Sequence, residues 1–250
     1  MLLVLLAGAA AGALNAIGGG GTFVALPVLV AFGLSPVTAN ALSRVALVPG
    51  AVAGAWVYRN ELTPVGKTST KSLSVVSVIG GGVGAGLLLA LPASSFDAAA
   101  PWLLAFATVV LAFGRPFSQA LDSALGRSVA MSSRTVLIGQ FVLAVYGGYF
   151  GGAVGIMMLA LWSIGLGLDA AVSNPMRIAQ LAAIYLSATV LFLIFSDTLS
   201  SPLLLTCMLS GSVAGGYAGA HFARRLPAWL LRGIILSTAV TMTVLYFLRG

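Results

Sequence analysis

Long apolar segments separated by short polar connections dominate this chain and limit what it can fold into. Hydrophobic residues make up 60% of its 250 residues and charged residues only 7%, far outside the range of soluble proteins. A helix needs about 20 apolar residues to cross the ~30 Å hydrocarbon layer of a membrane. The sequence therefore predicts an all-α integral membrane protein. The apolar segments lie at residues 2–32, 37–58, 72–92, 98–114, 135–167, 170–195, 202–222 and 228–248.

The charged residues argue against several classes of protein. The net charge of +7 comes from twelve lysines and arginines that are scattered singly and form no basic tract, which argues against nucleic-acid binding and is typical of cytoplasmic loops. The single cysteine, Cys207, rules out a disulfide framework. The sequence contains no catalytic triad, metal-ligand spacing, P-loop or paired carboxylates. It therefore predicts neither an enzyme nor a cofactor, and membrane lipid is the expected surrounding.

Two halves of the chain resemble each other at an offset of 134 residues. The matched positions are Gly33 with Gly167, Asn40 with Asn174, and Gly81, Gly82 and Ala85 with Gly215, Gly216 and Gly219. Such internal symmetry indicates a repeated architecture, and the small residues are expected to pack helices closely. The sequence predicts a first membrane repeat at residues 1–114, a cytoplasmic linker at 115–134 and a second repeat at 135–250.

Glycine clusters interrupt the first segment of each repeat. Segments 2–32 and 135–167 are too long for one straight span, so each is either a broken spanning helix or a re-entrant hairpin. Hairpins would give the two repeats opposite topology, and the positive-inside rule favours them because most basic loop residues then lie on one side. These residues are Arg59, Lys67, Lys71, Arg115, Arg127, Arg134, Arg224 and Arg225, with Asp97 and Asp197 on the opposite side.

Each repeat also places one arginine about two and a half turns into its second segment. Helices beginning after the N-cap residues Ser35 and Asp169 would carry Arg44 and Arg177 roughly 12 Å inward, close to the middle of the membrane. An arginine at this depth costs at least ~2.5 to 3.5 kcal/mol on insertion scales, so it requires a compensating role. One hypothesis is that both guanidinium groups bind a single anion between the repeats. The alternative is that each donates to carbonyls exposed where a glycine-rich interruption ends a helix.

The first hypothesis defines a candidate substrate-binding site. Glycines lining the interruptions would turn backbone N–H groups and helix N-termini toward an anion, and amide or hydroxyl side chains would add donors. The candidate residues are Arg44, Arg177, Asn40, Asn174, Ser43, Ser173, Gln180, Tyr149, Gly18, Gly19, Gly20, Gly21, Gly151 and Gly152.

Two glycine-rich runs carry a family resemblance. The run GALNAIGGGGTFVALP at residues 12–27, followed by Gly-Leu-Ser-Pro at 33–36, resembles the opening repeat of the TauE/SafE sulfite exporter family. The run GGYFGGAVG at 147–155, followed by Gly-Leu-Asp at 167–169, resembles the second repeat of that family. The chain departs from the family pattern at Ala153 and Val154, where the family has a fuller glycine run, and at Leu161, which replaces the proline that matches Pro27.

The resemblance implies a bacterial or archaeal inner-membrane permease for sulfite, sulfonates or related anions. A cell interior at negative potential favours anion export by ~2.3 kcal/mol per charge per 100 mV. We therefore expect a secondary transporter that exports or exchanges a small sulfur-containing anion by alternating access. An anion channel built on the same arginines and a structural membrane protein that binds no anion are the alternatives.

Overall fold

The computed structural model describes residues 1–17, 20–125 and 131–222, together with positions 233, 236, 237, 240, 241, 243 and 244. In this part of the chain the structure is helical, and its only β-pairing is an isolated bridge between Val65 and Thr68. The helices are α1 (Leu2–Ile17), α2 (Thr22–Ala31), α3 (Pro36–Val57), α4 (Thr70–Ala90), α5 (Ala93–Leu125), α6 (Ser133–Tyr149), α7 (Val154–Leu166), α8 (Ala170–Phe195) and α9 (Pro202–Phe222). The predicted all-α membrane class is confirmed. Gly18, Gly19, Arg127, Arg224, Arg225 and most of segment 228–248 lie outside the described residues.

Helix length separates spanning helices from interrupted ones. Among the described residues, four helices are long and apolar enough to cross a membrane, at Thr70–Ala90, Ala93–Val110, Val172–Phe195 and Pro202–His221. The helices that flank the glycine clusters are shorter. Helix α5 is longer than the apolar segment 98–114 from which it was predicted. It continues to Leu125, into the predicted linker at residues 115–134.

The second interruption, residues 150–153 between α6 and α7, reverses the chain direction. A Cβ added at Gly139 in α6 would contact the side chain of Leu161 in α7, and one added at Gly147 would contact Val154. At the open end of the pair, the N–H of Met131 donates to the carbonyl of Gly165 at 2.9 Å. These contacts pair residues symmetrically about the turn, as expected for two antiparallel helices. Segment 135–167 is therefore a helical hairpin and not a broken span.

The first interruption separates α1 from α2, and its described residues, Gly20 and Gly21, lead into a helix that starts beside α1. The N–H of Gly21 donates to Oδ1 of Asn15 at 2.9 Å. A Cβ at Gly21 would overlap the carbonyl oxygen of Ala11, which lies six residues before the end of α1. Because Gly21 lies beside α1, α2 begins alongside that helix and does not continue from its end.

The helices that carry the two arginines begin as predicted. Oγ of Ser35 accepts a hydrogen bond from the N–H of Thr38 at 3.2 Å, and Oδ1 of Asp169 accepts one from Val172 at 3.2 Å. Each side chain thereby satisfies one backbone donor that the first turn of a helix leaves without an intrahelical partner. The predicted N-caps are confirmed, and they fix how many turns from each helix start Arg44 and Arg177 lie.

Helices of the first half of the chain, α1 to α5, pack mainly against helices of the second half, α6 to α9. α1 packs along α9, where Gly12 lies against the backbone of Ser212, and α6 packs along α4, where Gly148 lies against Gly81. A side chain at either glycine would overlap the facing backbone, so small residues allow this close approach.

Most of the matched small residues pack as predicted. The close pairs are Gly81 with Ile184, Gly215 with Ala9, Gly216 with Gly50 and Gly219 with Ala13. Gly82 differs, because among the described residues the only atom within 4.0 Å of an added Cβ is a terminal methyl of Leu191. The expectation of tight packing is therefore wrong for Gly82, which faces away from the contact that its neighbour makes.

Two helix groups result, and each contains helices of both repeats. In the first helix group (α1, α3 and α9), Oγ of Ser212 donates to the carbonyl of Ala46 at 2.6 Å. In the second helix group (α4, α6 and α8), Nε2 of Gln140 donates to Oγ of Ser77 at 2.9 Å. α3 and α8, the helices that carry Arg44 and Arg177, contact each other across the boundary between the groups.

Candidate functional site

Two polar side chains of α3 reach the second interruption. Nδ2 of Asn40 donates to the carbonyl of Tyr149 at 2.8 Å and thereby satisfies a carbonyl at the C-terminal end of α6. Arg44 lies one turn further along the same face of α3. Both side chains are fully buried. Since α3 belongs to the first repeat and the interruption to the second, these residues join the two repeats.

The guanidinium of Arg44 lies directly against Gly151. A Cβ added at Gly151 would overlap Nη1, Nη2 and Cζ of Arg44. Gly151 also has a φ of +73°, in the left-handed region that L-residues with a side chain rarely adopt. Both the backbone conformation and the available space therefore require glycine at this position, which lets the arginine approach the turn.

Arg44 uses only part of its hydrogen-bonding capacity. Its Nη2 lies 3.4 Å from Oδ1 of Asn40, a long contact, and neither Nε nor Nη1 has a partner among the described residues. Its Cζ lies 5.0 Å from the ring centroid of Tyr185, within the range of a cation–π interaction. Buried charges in proteins are normally paired and hydrogen-bonded. Arg44 therefore has the free donors expected of a residue that binds an anionic ligand.

Aromatic rings surround the second interruption. The hydroxyl of Tyr146 donates to the carbonyl of Gly152 at 3.0 Å, and the Tyr146 ring packs edge-on against Phe150 at 6.0 Å. Phe96 of α5 packs against the rings of Phe150 and Tyr149 at 6.4 and 5.8 Å. Tyr149, a predicted site residue, thus contributes its carbonyl to Asn40 and its ring to this aromatic cluster. The cluster holds the turn in place beside Arg44.

Arg177 of α8 contacts the last turn of α1, directly before the first interruption. Its Nη1 donates to the carbonyl of Asn15 at 3.2 Å and its Nη2 to that of Ala16 at 2.9 Å. Its Nε donates to Oδ1 of Asn174 at 2.9 Å. The two carbonyls lie in the last turn of α1, where no further helical N–H can reach them. Arg177 therefore makes the carbonyl contacts that the alternative hypothesis describes.

The two arginines thus end at different interruptions. Tyr185, which contacts Arg44, follows Arg177 by eight residues on α8, which corresponds to ~12 Å along the helix. The sequence-based hypothesis has both guanidinium groups binding one anion. In the structure, the guanidinium of Arg177 contacts the end of α1, and that of Arg44 lies against the turn at Gly151.

The remaining predicted residues divide between local and interhelical contacts. Oγ of Ser43 donates to the carbonyl of Asn40 within α3 at 2.8 Å. Nε2 of Gln180 donates to Oγ of Ser74 on α4 at 3.1 Å. Ser173 is buried in the first turn of α8.

Of the described glycines of the interruptions, Gly20 and Gly21 make local contacts, and Gly152 reaches the other half of the chain. Gly20 accepts a hydrogen bond from the N–H of Phe23 at 3.1 Å, and Gly21 packs against α1 as described above. A Cβ added at Gly152 would approach the ring of Phe23, the second residue of α2, to 3.3 Å. The start of α2 and the second interruption are therefore neighbours.

The described acidic side chains are exposed, whereas Arg44 is buried. Those that the structure describes are Glu61, Asp97, Asp169 and Asp197, and all four are exposed. They occupy short connections or helix starts. Among these carboxylates none is buried with Arg44, so the structure offers no described carboxylate to neutralise it.

Sequence reasoning missed three residues that the structure brings to the interruptions. Asn15 and Thr22 are buried on the two sides of the first interruption, and Tyr185 lies beneath Arg44. The sequence could have predicted Asn15 as a site residue, because it is a polar residue shortly before a glycine run in an apolar segment. Tyr185 lies near the middle of an apolar helix, whereas most tyrosines and tryptophans of the chain lie near segment ends.

Comparison with known proteins gives one match. The family model described as "Sulfite exporter TauE/SafE" matches residues 4–246, nearly the whole chain. No curated protein and no solved structure matches it. The extent of the family match, together with the helical membrane fold, shows that the chain belongs to the TauE/SafE sulfite exporter family, whose members are membrane transporters of sulfite or related anions.

Proposed function

We propose that this protein exports or exchanges a small sulfur-containing oxyanion, such as sulfite or an organosulfonate, across the inner membrane by alternating access. Family membership supports the substrate class. The observation that carries the proposed site is Arg44, a fully buried guanidinium whose Nε and Nη1 have no hydrogen-bond partner among the described residues. Leaving charged donors buried and unused is costly, which favours a ligand that occupies them during function.

The proposed site assigns separate roles to the residues around Arg44. Arg44 binds oxygens of the anion through charge-assisted hydrogen bonds, which are stronger than neutral ones. Asn40 and Gly151 position its guanidinium, and the Tyr185 ring lies against it. Arg177 acts as a positioning residue, because its contacts with the carbonyls of Asn15 and Ala16 join α8 to the end of α1.

The proposed movement follows the boundary between the two helix groups. The described hydrogen bonds from Asn40 to Tyr149 and from Arg177 to Asn15 both cross this boundary. Rocking of one group against the other would therefore change the surroundings of both interruptions, a recurrent plan among transporters with inverted repeats. The membrane potential would favour outward release of the anion.

The binding experiment compares Arg44→Lys and Arg44→Gln with the parent protein. Purified full-length protein in detergent is titrated with sulfite, sulfate, thiosulfate and an organosulfonate by calorimetry. Lysine keeps the charge but cannot reproduce the planar donor fork, so affinity falls, and glutamine weakens it further. The loss of one charge-assisted contact is worth ~1.5 to 3 kcal/mol, a rise in Kd of roughly tenfold to a hundredfold.

Arg59→Gln is the matched control, because Arg59 is an exposed arginine that stacks on Trp56. Its affinity should equal that of the parent. Monodisperse Arg44→Gln protein that binds sulfite as tightly as the parent would show that the proposed site is wrong.

Counterflow distinguishes a carrier from a channel. Proteoliposomes loaded with unlabelled sulfite are diluted into labelled sulfite, and transient accumulation of label is expected for alternating access. A channel would equilibrate the label without accumulation, and a structural protein would give no flux.

A further inference from the structure

The first interruption leaves two buried polar groups unused. Nδ2 of Asn15 and Oγ1 of Thr22 have no hydrogen-bond partner in the part of the chain that the structure describes. Asn15 is 1% exposed and Thr22 is 0% exposed. Asn15 lies in the last turn of α1, and Thr22 is the first residue of α2.

The orientation of the Asn15 amide is set by its neighbour. The N–H of Gly21 donates to Oδ1 of Asn15 at 2.9 Å. A backbone N–H can only donate, so the oxygen must face Gly21 and the NH₂ group must point elsewhere. The unused atom is therefore a donor, and it would bind an electronegative ligand atom.

Positive potential reaches the same place from two sources. The guanidinium of Arg177 donates to the carbonyls of Asn15 and Ala16, so its charge lies at the end of α1. The ten-residue helix α2 begins at Thr22, and helix N-termini favour anions. Amide and hydroxyl donors in this potential fit an oxyanion and do not fit a cation.

The surroundings of Arg44 involve other residues. Arg44 lies against Gly151 and the ring of Tyr185, whereas Arg177 donates to the carbonyls of Asn15 and Ala16. The ring of Phe23, adjacent to Thr22, nevertheless approaches Gly152 of the second interruption, so the two positions lie in adjoining parts of the protein.

We propose that a second oxyanion position lies between the end of α1 and the start of α2, where Asn15 Nδ2 and Thr22 Oγ1 donate to the anion. This inference rests on the proposed function and extends it, because the transported anion would pass between two positions, one at each interruption. The position at Asn15 relies on neutral donors, whereas the position at Arg44 relies on a charged one. The first position is therefore the weaker of the two.

The test counts bound sulfite in the full-length protein. Equilibrium dialysis with labelled sulfite is performed on the parent, Asn15→Asp, Thr22→Val and Arg44→Gln. Asn15→Asp keeps the acceptor for Gly21 but replaces the NH₂ group by a negatively charged oxygen. Thr22→Val keeps the shape of the side chain and removes only the hydroxyl.

We expect two bound anions in the parent and one in Asn15→Asp. Thr22→Val should retain both sites, with the weaker Kd raised about threefold to tenfold, and Arg44→Gln should lose the tighter site. One bound anion in the parent, lost in Arg44→Gln and unchanged in both other variants, would overturn the second position and leave the proposed function intact. No binding in the parent would overturn both.

Discussion

The guanidinium of Arg44 and the backbone of Gly151 occupy adjoining space, and a single methyl group at residue 151 would overlap the arginine. This relationship joins a side chain of the first repeat to the interrupted segment of the second. It also explains a glycine cluster that would otherwise be attributed to helix packing alone, since Gly151 has a φ of +73° and faces a charged side chain.

Gly151→Ala should therefore impair binding through Arg44. The added Cβ displaces the guanidinium, and the left-handed backbone adds a cost of about 1 to 2 kcal/mol. Sulfite affinity is expected to fall at least tenfold, with a fall of a few degrees in Tm, by calorimetry and thermal unfolding in detergent. Gly86→Ala is the control, because a Cβ there would meet no described atom within 4 Å beyond its chain neighbours and the backbone of its own helix. Parent-like affinity in Gly151→Ala would contradict the role of this contact.

The two arginines should affect the ligand-free protein in opposite directions. Arg177→Met removes donors from the carbonyls of Asn15 and Ala16, so Tm should fall by several degrees. Arg44→Met removes a buried charge whose donors are incompletely used, so Tm should stay constant or rise. Thermal unfolding without sulfite measures both. An equal loss of Tm in the two variants would show that Arg44 is also structural.

The ring of Tyr185 should matter for Arg44 more than its hydroxyl does. Tyr185→Phe keeps the ring 5.0 Å from the guanidinium carbon, whereas Tyr185→Leu removes the cation–π contact. A desolvated cation–π interaction is worth about 2 kcal/mol. We expect affinity for sulfite within about twofold of the parent for the phenylalanine variant, and a loss of roughly tenfold or more for leucine. A large loss in Tyr185→Phe would instead assign anion binding to the hydroxyl.

The α6–α7 hairpin makes a prediction about membrane topology. Because Met131 and Gly165 are hydrogen-bonded at its open end, single cysteines at Arg134 and Leu168 should be labelled from the same side of the membrane. A cysteine at Asp197, beyond the other end of α8, should be labelled from the opposite side. Cys207→Ser provides the background, since Cys207 is the only cysteine in the sequence. Labelling of residues 134 and 168 from opposite sides would contradict the hairpin.

The inverted relation between the repeats stays a prediction with its own measurement. Cysteines at Lys67 and Arg224 should be accessible from one side, because the charge pattern of the loops predicts that both are cytoplasmic. Asp97→Cys should be accessible from the other side. Repeats in the same orientation would place Lys67 and Arg224 on opposite sides.

Local rules determined much of the fold in advance. Apolar segments long enough to cross a membrane predicted the membrane class and most of the helix positions. Ser35 and Asp169 predicted two helix starts because an N-cap depends only on residues within one turn. The glycine clusters predicted the interruptions, but hairpins and broken spans share the same local pattern. Only contacts such as that between Gly139 and Leu161 decide between them.

The sequence alone determined that two arginines lie deep in an apolar protein, and the tertiary structure decided what each of them contacts. Arg44 follows Asn40 by four residues and Arg177 follows Asn174 by three, a difference visible in the sequence. The contacts of the two arginines depend on residues far along the chain, because Arg177 donates to carbonyls of α1 whereas Arg44 lies against Gly151. Hydropathy and helix propensity act over a few residues, but hydrogen-bond satisfaction depends on which backbone faces the side chain. That is set only when the two repeats pack together.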